Sequence, residues 1–158
     1  MSDPHMEITL ATQADSPTLA RIYYEVRIAT MTWVDPSMYR EDDFTSHSAG
    51  EDVSVAKSND GDILGFISIW PATDFIHMLY VKPSSQGQGV GTRLLQALPD
   101  WPNRPYRLKC LVRNVKAKTF YERHGFQVIG RGTSEEGEFE EMMAANDGKR
   151  LGGPSYFR

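Results

Sequence analysis

Apolar and polar residues alternate from Met6 to Ala11, with Met6, Ile8 and Leu10 set against Glu7 and Thr9, the period of a half-buried strand. The period then changes. Ser16 followed by Pro17 supplies a cap and a proline at the first helical position, and Leu19, Ile22, Tyr23 and Val26 share one face of a helix expected over Pro17–Ala29. Pro36 interrupts the pattern, and Tyr39–His47 reads as a short second helix with Tyr39, Asp43 and His47 on one side. Val53–Lys57 and Ile63–Trp70 are β-rich runs flanking Ser58-Asn59-Asp60-Gly61-Asp62, where Asp-Gly signals an antiparallel hairpin. Pro71 ends the second run and Phe75–Val81 returns as the next strand.

After Val81 comes a Pro-Ser-Ser turn and then a glycine-studded loop that leads into a helix with Val90, Leu94 and Leu98 on one face. Residues 99–105 are proline-rich loop, and Tyr106–Val112 is strand by its apolar and β-branched content. Asn114–Phe126 places Ala117, Phe120, Tyr121 and His124 at helical spacing, with Asn114 suited to the cap and Gly125 to the C-terminal left-handed position. Gln127–Arg131 and Phe139–Ala144 read as a closing hairpin across a Gly-Glu turn, and residues 146–158 as a loose C-terminal tail or edge strand. The order β-α-α-β-β-β-α-β-α-β-β gives an α/β chain of the mixed α+β kind, a mixed sheet with helices on its faces.

With 158 residues the chain has the length of about one domain, expected over residues 6–145, and needs no disulfide or metal for stability. Residues 1–5, Met-Ser-Asp-Pro-His, look like a cloning remnant. The single cysteine, Cys110, lies in an apolar run and is read as a buried core thiol of a cytoplasmic protein. No apolar stretch reaches the roughly 20 residues of a membrane span. A formal net charge of −4 argues against general nucleic-acid affinity, which needs a basic face. It is compatible with a cationic ligand such as an amine.

Gly87, Gly89 and Gly91 lack Cβ, so backbone N–H groups from Gln86 to Thr92 can converge on one space at the positive end of the following helix. That is an anion site, suited to phosphate or pyrophosphate. Neither common nucleotide fingerprint fits: Gly91 is followed by Thr92 and Arg93, which leaves out the P-loop lysine and the third glycine of G-x-G-x-x-G. Gln86-Gly87-Gln88-Gly89-Val90-Gly91 instead resembles the acyl-CoA pyrophosphate loop, Q/R-x-x-G-x-G/A, of the GCN5-related N-acetyltransferases, and it directly follows a strand ending Leu79-Tyr80-Val81-Lys82-Pro83. A second block, Asn114-x-x-Ala117-x-x-Phe120-Tyr121-x-x-x-Gly125-Phe126, is similar to the same family. The likeness spans nearly all of Met6–Ala144. It implies a central, mixed, mostly antiparallel sheet whose fourth and fifth strands splay to admit CoA.

The resemblance implies acetyl-CoA as cofactor, with main-chain contacts from Leu79, Tyr80 and Val81, pyrophosphate contacts from Gln86, Gly87, Gln88, Gly89, Val90, Gly91 and Thr92, and further contacts from Asn114, Lys116, Ala117 and Phe120. It also implies that Tyr121 protonates the departing thiolate; a phenol with a pKa of about 10 is matched to that task. Phe120-Tyr121 is equally an aromatic pair that can pack a helix. His77 falls on the same strand face as Leu79 and Val81, and an imidazole suits removal of the amine's proton; a structural hydrogen-bonding role stands beside it. Glu25, Asp35 and Asp74 are the substitute bases, while His47 and His124 read as helix-surface residues.

An acceptor pocket in this resemblance draws on Tyr24, Thr30, Trp33, Phe44, Trp70 and Phe75, with Trp33, Tyr24 and Phe75 foremost; packing into the core is the alternative for most of them. The acceptor is a small-molecule or peptide amine, with no nucleic acid, membrane or metal involved. A homodimer through the closing hairpin and the tail is open. A rival reading keeps the architecture and the CoA but removes the chemistry, leaving an acyl-CoA sensor. A nucleotide-binding regulator is a third.

Overall fold

The computed structural model describes residues 6–144. In chain order the elements are β1 (Glu7–Leu10), α1 (Ser16–Thr30), α2 (Asp43–His47), β2 (Asp52–Lys57), β3 (Ile63–Trp70), β4 (Phe75–Val81), α3 (Val90–Gln96), β5 (Arg107–Leu111), α4 (Val115–Arg123), β6 (Phe126–Ser134) and β7 (Gly137–Ala144). The order is the one that the hydrophobic pattern predicts. The chain forms two compact units, residues 6–71 with 76–98 and residues 72–75 with 99–144.

In the first unit the strands lie in the order β1-β2-β3-β4. β1 runs antiparallel to β2, with Glu7 opposite Lys57, and β2 runs antiparallel to β3, with Asp52 opposite Ile69. The Asp-Gly signal marks the turn as expected: Gly61 has φ +87°, the Ser58 N–H donates to the Asp62 carbonyl at 2.8 Å, and the Gly61 N–H donates to the Ser58 carbonyl at 2.9 Å. Leu19, Ile22, Tyr23 and Val26 of α1 are buried with Phe44, Val55, Ile63, Phe66 and Met78 in one cluster. Each such side chain contributes roughly 1.5–3 kcal/mol by leaving water.

The α1 entry is more elaborate than Ser-Pro alone. A single turn of 3-10 helix, Gln13–Asp15, precedes it, and the Asp15 carboxylate accepts from the Thr12 N–H at 2.8 Å and pairs with Lys57 at 3.5 Å. The second helix is shorter than its predicted span. The Arg40 N–H and the Arg27 guanidinium both donate to Asp43 Oδ2, at 2.9 and 3.1 Å, so helix begins only at Asp43. Tyr39 is buried ahead of it, with the Arg27 guanidinium 4.6 Å from its ring centre.

In the second unit the strand order is β5-β7-β6, all antiparallel neighbours. The closing hairpin is longer than the pattern suggests, and it turns at Glu135-Glu136 between paired Ser134 and Gly137 rather than at a Gly-Glu step. Gly132 lies opposite Phe139 in this hairpin, and a methyl group there would stand 2.5 Å from Phe139 Cζ, so the ring would have to move aside for it. The tail assigned to residues 146–158 and the remnant assigned to 1–5 lie outside the described residues. Among the described residues no helix is long and apolar enough to cross a membrane.

Candidate active site

The glycine loop begins where β4 ends. Lys82 N–H donates to the Leu64 carbonyl at 2.9 Å, holding the strand end, and a 3-10 turn over Pro83–Ser85 redirects the chain. The Gln86 side-chain amide donates to the Val81 carbonyl at 3.0 Å and that of Gln88 to the Ser84 carbonyl at 3.4 Å, so both glutamines brace the loop. Gly87 and Gly89 have φ of +80° and +85°, the left-handed region in which a side chain is strained. The first helical acceptor, the Gly89 carbonyl, takes the Arg93 N–H at 3.0 Å, so the Val90 and Gly91 N–H groups lie ahead of it at the open helix end. Val90, Leu94 and Leu95 are buried and fix α3 while Gln86, Gly87 and Gln88 stay exposed. The side chain of Val90 is thus core, and only its backbone can meet a ligand.

Alternation along β4 is as predicted. Ile76 and Met78 are buried and the Tyr80 ring lies 5.1 Å from that of Tyr23, whereas His77 is exposed and Leu79 and Val81 are half-buried. His77 Nδ1 lies 2.6 Å from Glu51 Oε2, and the Ser68 hydroxyl donates to the other carboxylate oxygen of Glu51. The histidine side chain is 39% exposed and the glutamate only 7%. Because the serine contacts the carboxylate and not the imidazole, this is no nucleophile relay of the Ser-His-acid type. Sequence reading misses Glu51 altogether. It precedes β2 on the face of Val53, and Val53 pairs with Ser68, so extending the hairpin register by one alternate position brings it out.

In the second unit Asn114 caps α4, its side-chain oxygen accepting from the Ala117 N–H at 3.2 Å. Tyr121 is half-buried, with its ring 5.5 Å from Phe126 and 5.4 Å from Phe120. Burial, with Cys110 adding to it, pushes its phenol well above the ordinary tyrosine range. Cys110 is 4% exposed, and burial pushes its thiol up to about 11, with Glu140 contributing. That thiol is the protonated core residue expected, not a nucleophile. Lys116 is exposed on α4, and Ala117 and Phe120 are half-buried.

Of the acceptor-pocket candidates, Phe44 is core, whereas Tyr24, Thr30, Trp33 and Phe75 are half-buried and Trp70 is 43% exposed. Arg107 stands 5.7 Å over the Phe75 ring. Two substitute bases have other employment: Asp35 accepts the Ser37 N–H at 3.0 Å, and Asp74 pairs with Arg104 at 3.7 Å. Glu25 is exposed on α1. His47 is more than a surface residue, since its Nδ1 is 2.7 Å from the buried Tyr23 hydroxyl. His124 closes α4, Nδ1–H donating to the Phe120 carbonyl at 2.8 Å.

Residues 49–128, just over half of the chain, match the family model described as an acetyltransferase (GNAT) domain. Rv2775, a probable N-acetyltransferase of Mycobacterium tuberculosis, is 28% identical over 151 residues, covering 83% of this chain and 85% of its own. The fold is similar to that of a GCN5-related N-acetyltransferase from Rhodopseudomonas palustris, with TM-score 0.75, 20% identity and coverage of 92% of this chain and 98% of that one. It is also similar to yncA from Salmonella typhimurium, solved with its cofactor acetyl-CoA, with TM-score 0.65, 22% identity and coverage of 91% and 95%. The chain belongs to the GCN5-related N-acetyltransferase superfamily, whose members use acetyl-CoA.

Proposed function

We propose that the protein transfers the acetyl group of acetyl-CoA to a primary amine of a small molecule or of a peptide N-terminus. The observation that carries the reading is the braced loop at the end of β4, where left-handed Gly87 and Gly89 turn the Val90 and Gly91 N–H groups outward at the start of a helix. In this reading backbone groups of Gln86–Thr92 take the pyrophosphate, and Leu79, Tyr80 and Val81 pair with the pantetheine arm. Asn114, Lys116, Ala117 and Phe120 complete the cofactor contacts. Tyr24, Trp33 and Phe75 face the acceptor.

The amine nitrogen attacks the thioester carbonyl carbon, the nitrogen's proton passes to His77, and the carbon–sulfur bond breaks as the carbonyl re-forms. The thiolate then takes the Tyr121 phenolic proton, giving an amide and free CoA; His77 releases the amine's proton to solvent and Tyr121 takes one up, which restores both groups. The raised phenol supports this role in one respect: it keeps Tyr121 protonated at every working pH. A phenol so raised is also a weaker acid than free tyrosine, so its transfer to the thiolate is less favourable than between the two free groups.

Thiol release from acetyl-CoA across a panel of amines tests the reading. We expect acceptor-dependent release with at least one amine, and His77→Ala to remove the acidic limb of the pH–rate profile. Tight CoA binding with no release on any acceptor would favour an acyl-CoA sensor instead.

A further inference from the structure

Glu51 belongs to neither family block, yet its side chain is 7% exposed and two polar groups converge on it. Ser68, fully buried in β3, donates its hydroxyl to one carboxylate oxygen, and His77 Nδ1 lies 2.6 Å from the other. An ionised carboxylate can only accept. Both neighbours must therefore bring the hydrogen, so the neutral imidazole carries its proton on Nδ1 and leaves the Nε2 lone pair unprotonated.

We propose that Glu51, itself held by Ser68, is the positioning residue for His77: it fixes the Nδ1–H tautomer and the ring orientation that make Nε2 the basic atom. This deepens the reading of His77 as the base and rests on it. Two features keep the carboxylate in place. The Ser68 hydroxyl anchors one oxygen, and Gly50, with φ +81°, holds the preceding backbone against Trp70, where a methyl group would come within 3.1 Å of the indole.

The tautomer is measured on the wild-type chain without any acceptor. Two-bond nitrogen–proton correlation spectra at pH 8.5, with His77 assigned by loss of its signals in His77→Gln, are expected to show Nδ1 protonated and Nε2 bare. In Glu51→Gln the amide can donate to Nδ1; we expect the neutral ring to move towards Nε2–H and kcat to fall roughly 10–100-fold, as for loss of an orienting partner elsewhere. The KM for acetyl-CoA should not change. A wild-type ring protonated on Nε2, or a Glu51→Gln variant with unaltered tautomer and kcat, overturns the proposal. Absence of turnover by the wild type on every amine would instead defeat the transferase reading, and the tautomer would still decide the role of Glu51.

Discussion

Burial acts in the same direction on Tyr121 and Cys110, since each is neutral when it holds its proton, and each proton is retained to unusually high pH. For the cysteine this is a stability statement with a definite sign. Its folded value of about 11 exceeds an ordinary value of 9.0, so the contribution is complete below about pH 9 and is lost as pH rises towards 11. The full difference is about 2–3 kcal/mol, at 1.36 kcal/mol per pKa unit. Urea midpoints between pH 8 and 11 should fall less steeply for Cys110→Ala than for the wild type, whose lysines and tyrosines titrate in both. Parallel slopes would show that the thiol is not shielded. For the tyrosine the prediction concerns rate: Tyr121→Phe should keep acetyl-CoA affinity and lower kcat roughly 10–1000-fold, because a positioned acid is typically worth 10²–10⁴. An unchanged kcat removes Tyr121 from the mechanism.

At the scale of elements, the strands that alternate cleanly were legible, and the departures have physical causes that lie far along the chain. β3 and β4 occupy their predicted residues because Asp60-Gly61 and Pro71 bound them locally. α2 starts late because Arg27, sixteen residues earlier, donates to Asp43, and no window of periodicity carries that pairing. Burial alone would raise the Asp43 carboxyl, but the Arg40 N–H and the Arg27 guanidinium outweigh it and hold it below the ordinary range. Close approach of β3 to β4 is likewise invisible in composition. A methyl group at Gly65 would stand 2.7 Å from the Tyr80 carbonyl oxygen and 3.1 Å from Val81 Cα, both backbone atoms with no flexible end to yield. Gly65→Ala should therefore destabilise the chain by about 1–3 kcal/mol, the usual cost of overpacking. It should also weaken acetyl-CoA binding by displacing the segment assigned to the pantetheine arm. Gly87→Ala meets no atom within 4 Å, so its cost is confined to the strained φ of +80°. Equal urea midpoints for wild type and Gly65→Ala would show that β4 has room to shift.

For the whole molecule, the part of the proposed site that the sequence suggests is the part made of backbone. Glycines after a strand free backbone N–H groups to face a ligand, a signal local in the sequence, whereas Glu51 meets the Ser68 hydroxyl only when β2 and β3 pair. A backbone-built anion site also has a measurable signature. The chain carries a net charge of −4 and acetyl-CoA, the proposed ligand, is a polyanion, so the long-range field opposes their approach and in the proposed reading the affinity comes from short contacts in the loop. Salt screens the first and leaves the second nearly intact. Acetyl-CoA affinity should accordingly change less than about 3-fold between 50 and 500 mM salt, where a site built on several phosphate–lysine contacts would lose far more. Under saturating ligand, 100 times its Kd, the linkage is about 2.7 kcal/mol, and at 2–4 °C per kcal/mol for a chain of this size Tm should rise roughly 5–11 °C. ATP at the same concentration should give a much smaller rise. A Tm that responds to ATP as strongly as to acetyl-CoA would mean that the loop reads phosphate alone, and a steep salt dependence would move the binding energy from the glycine loop to lysines such as Lys116.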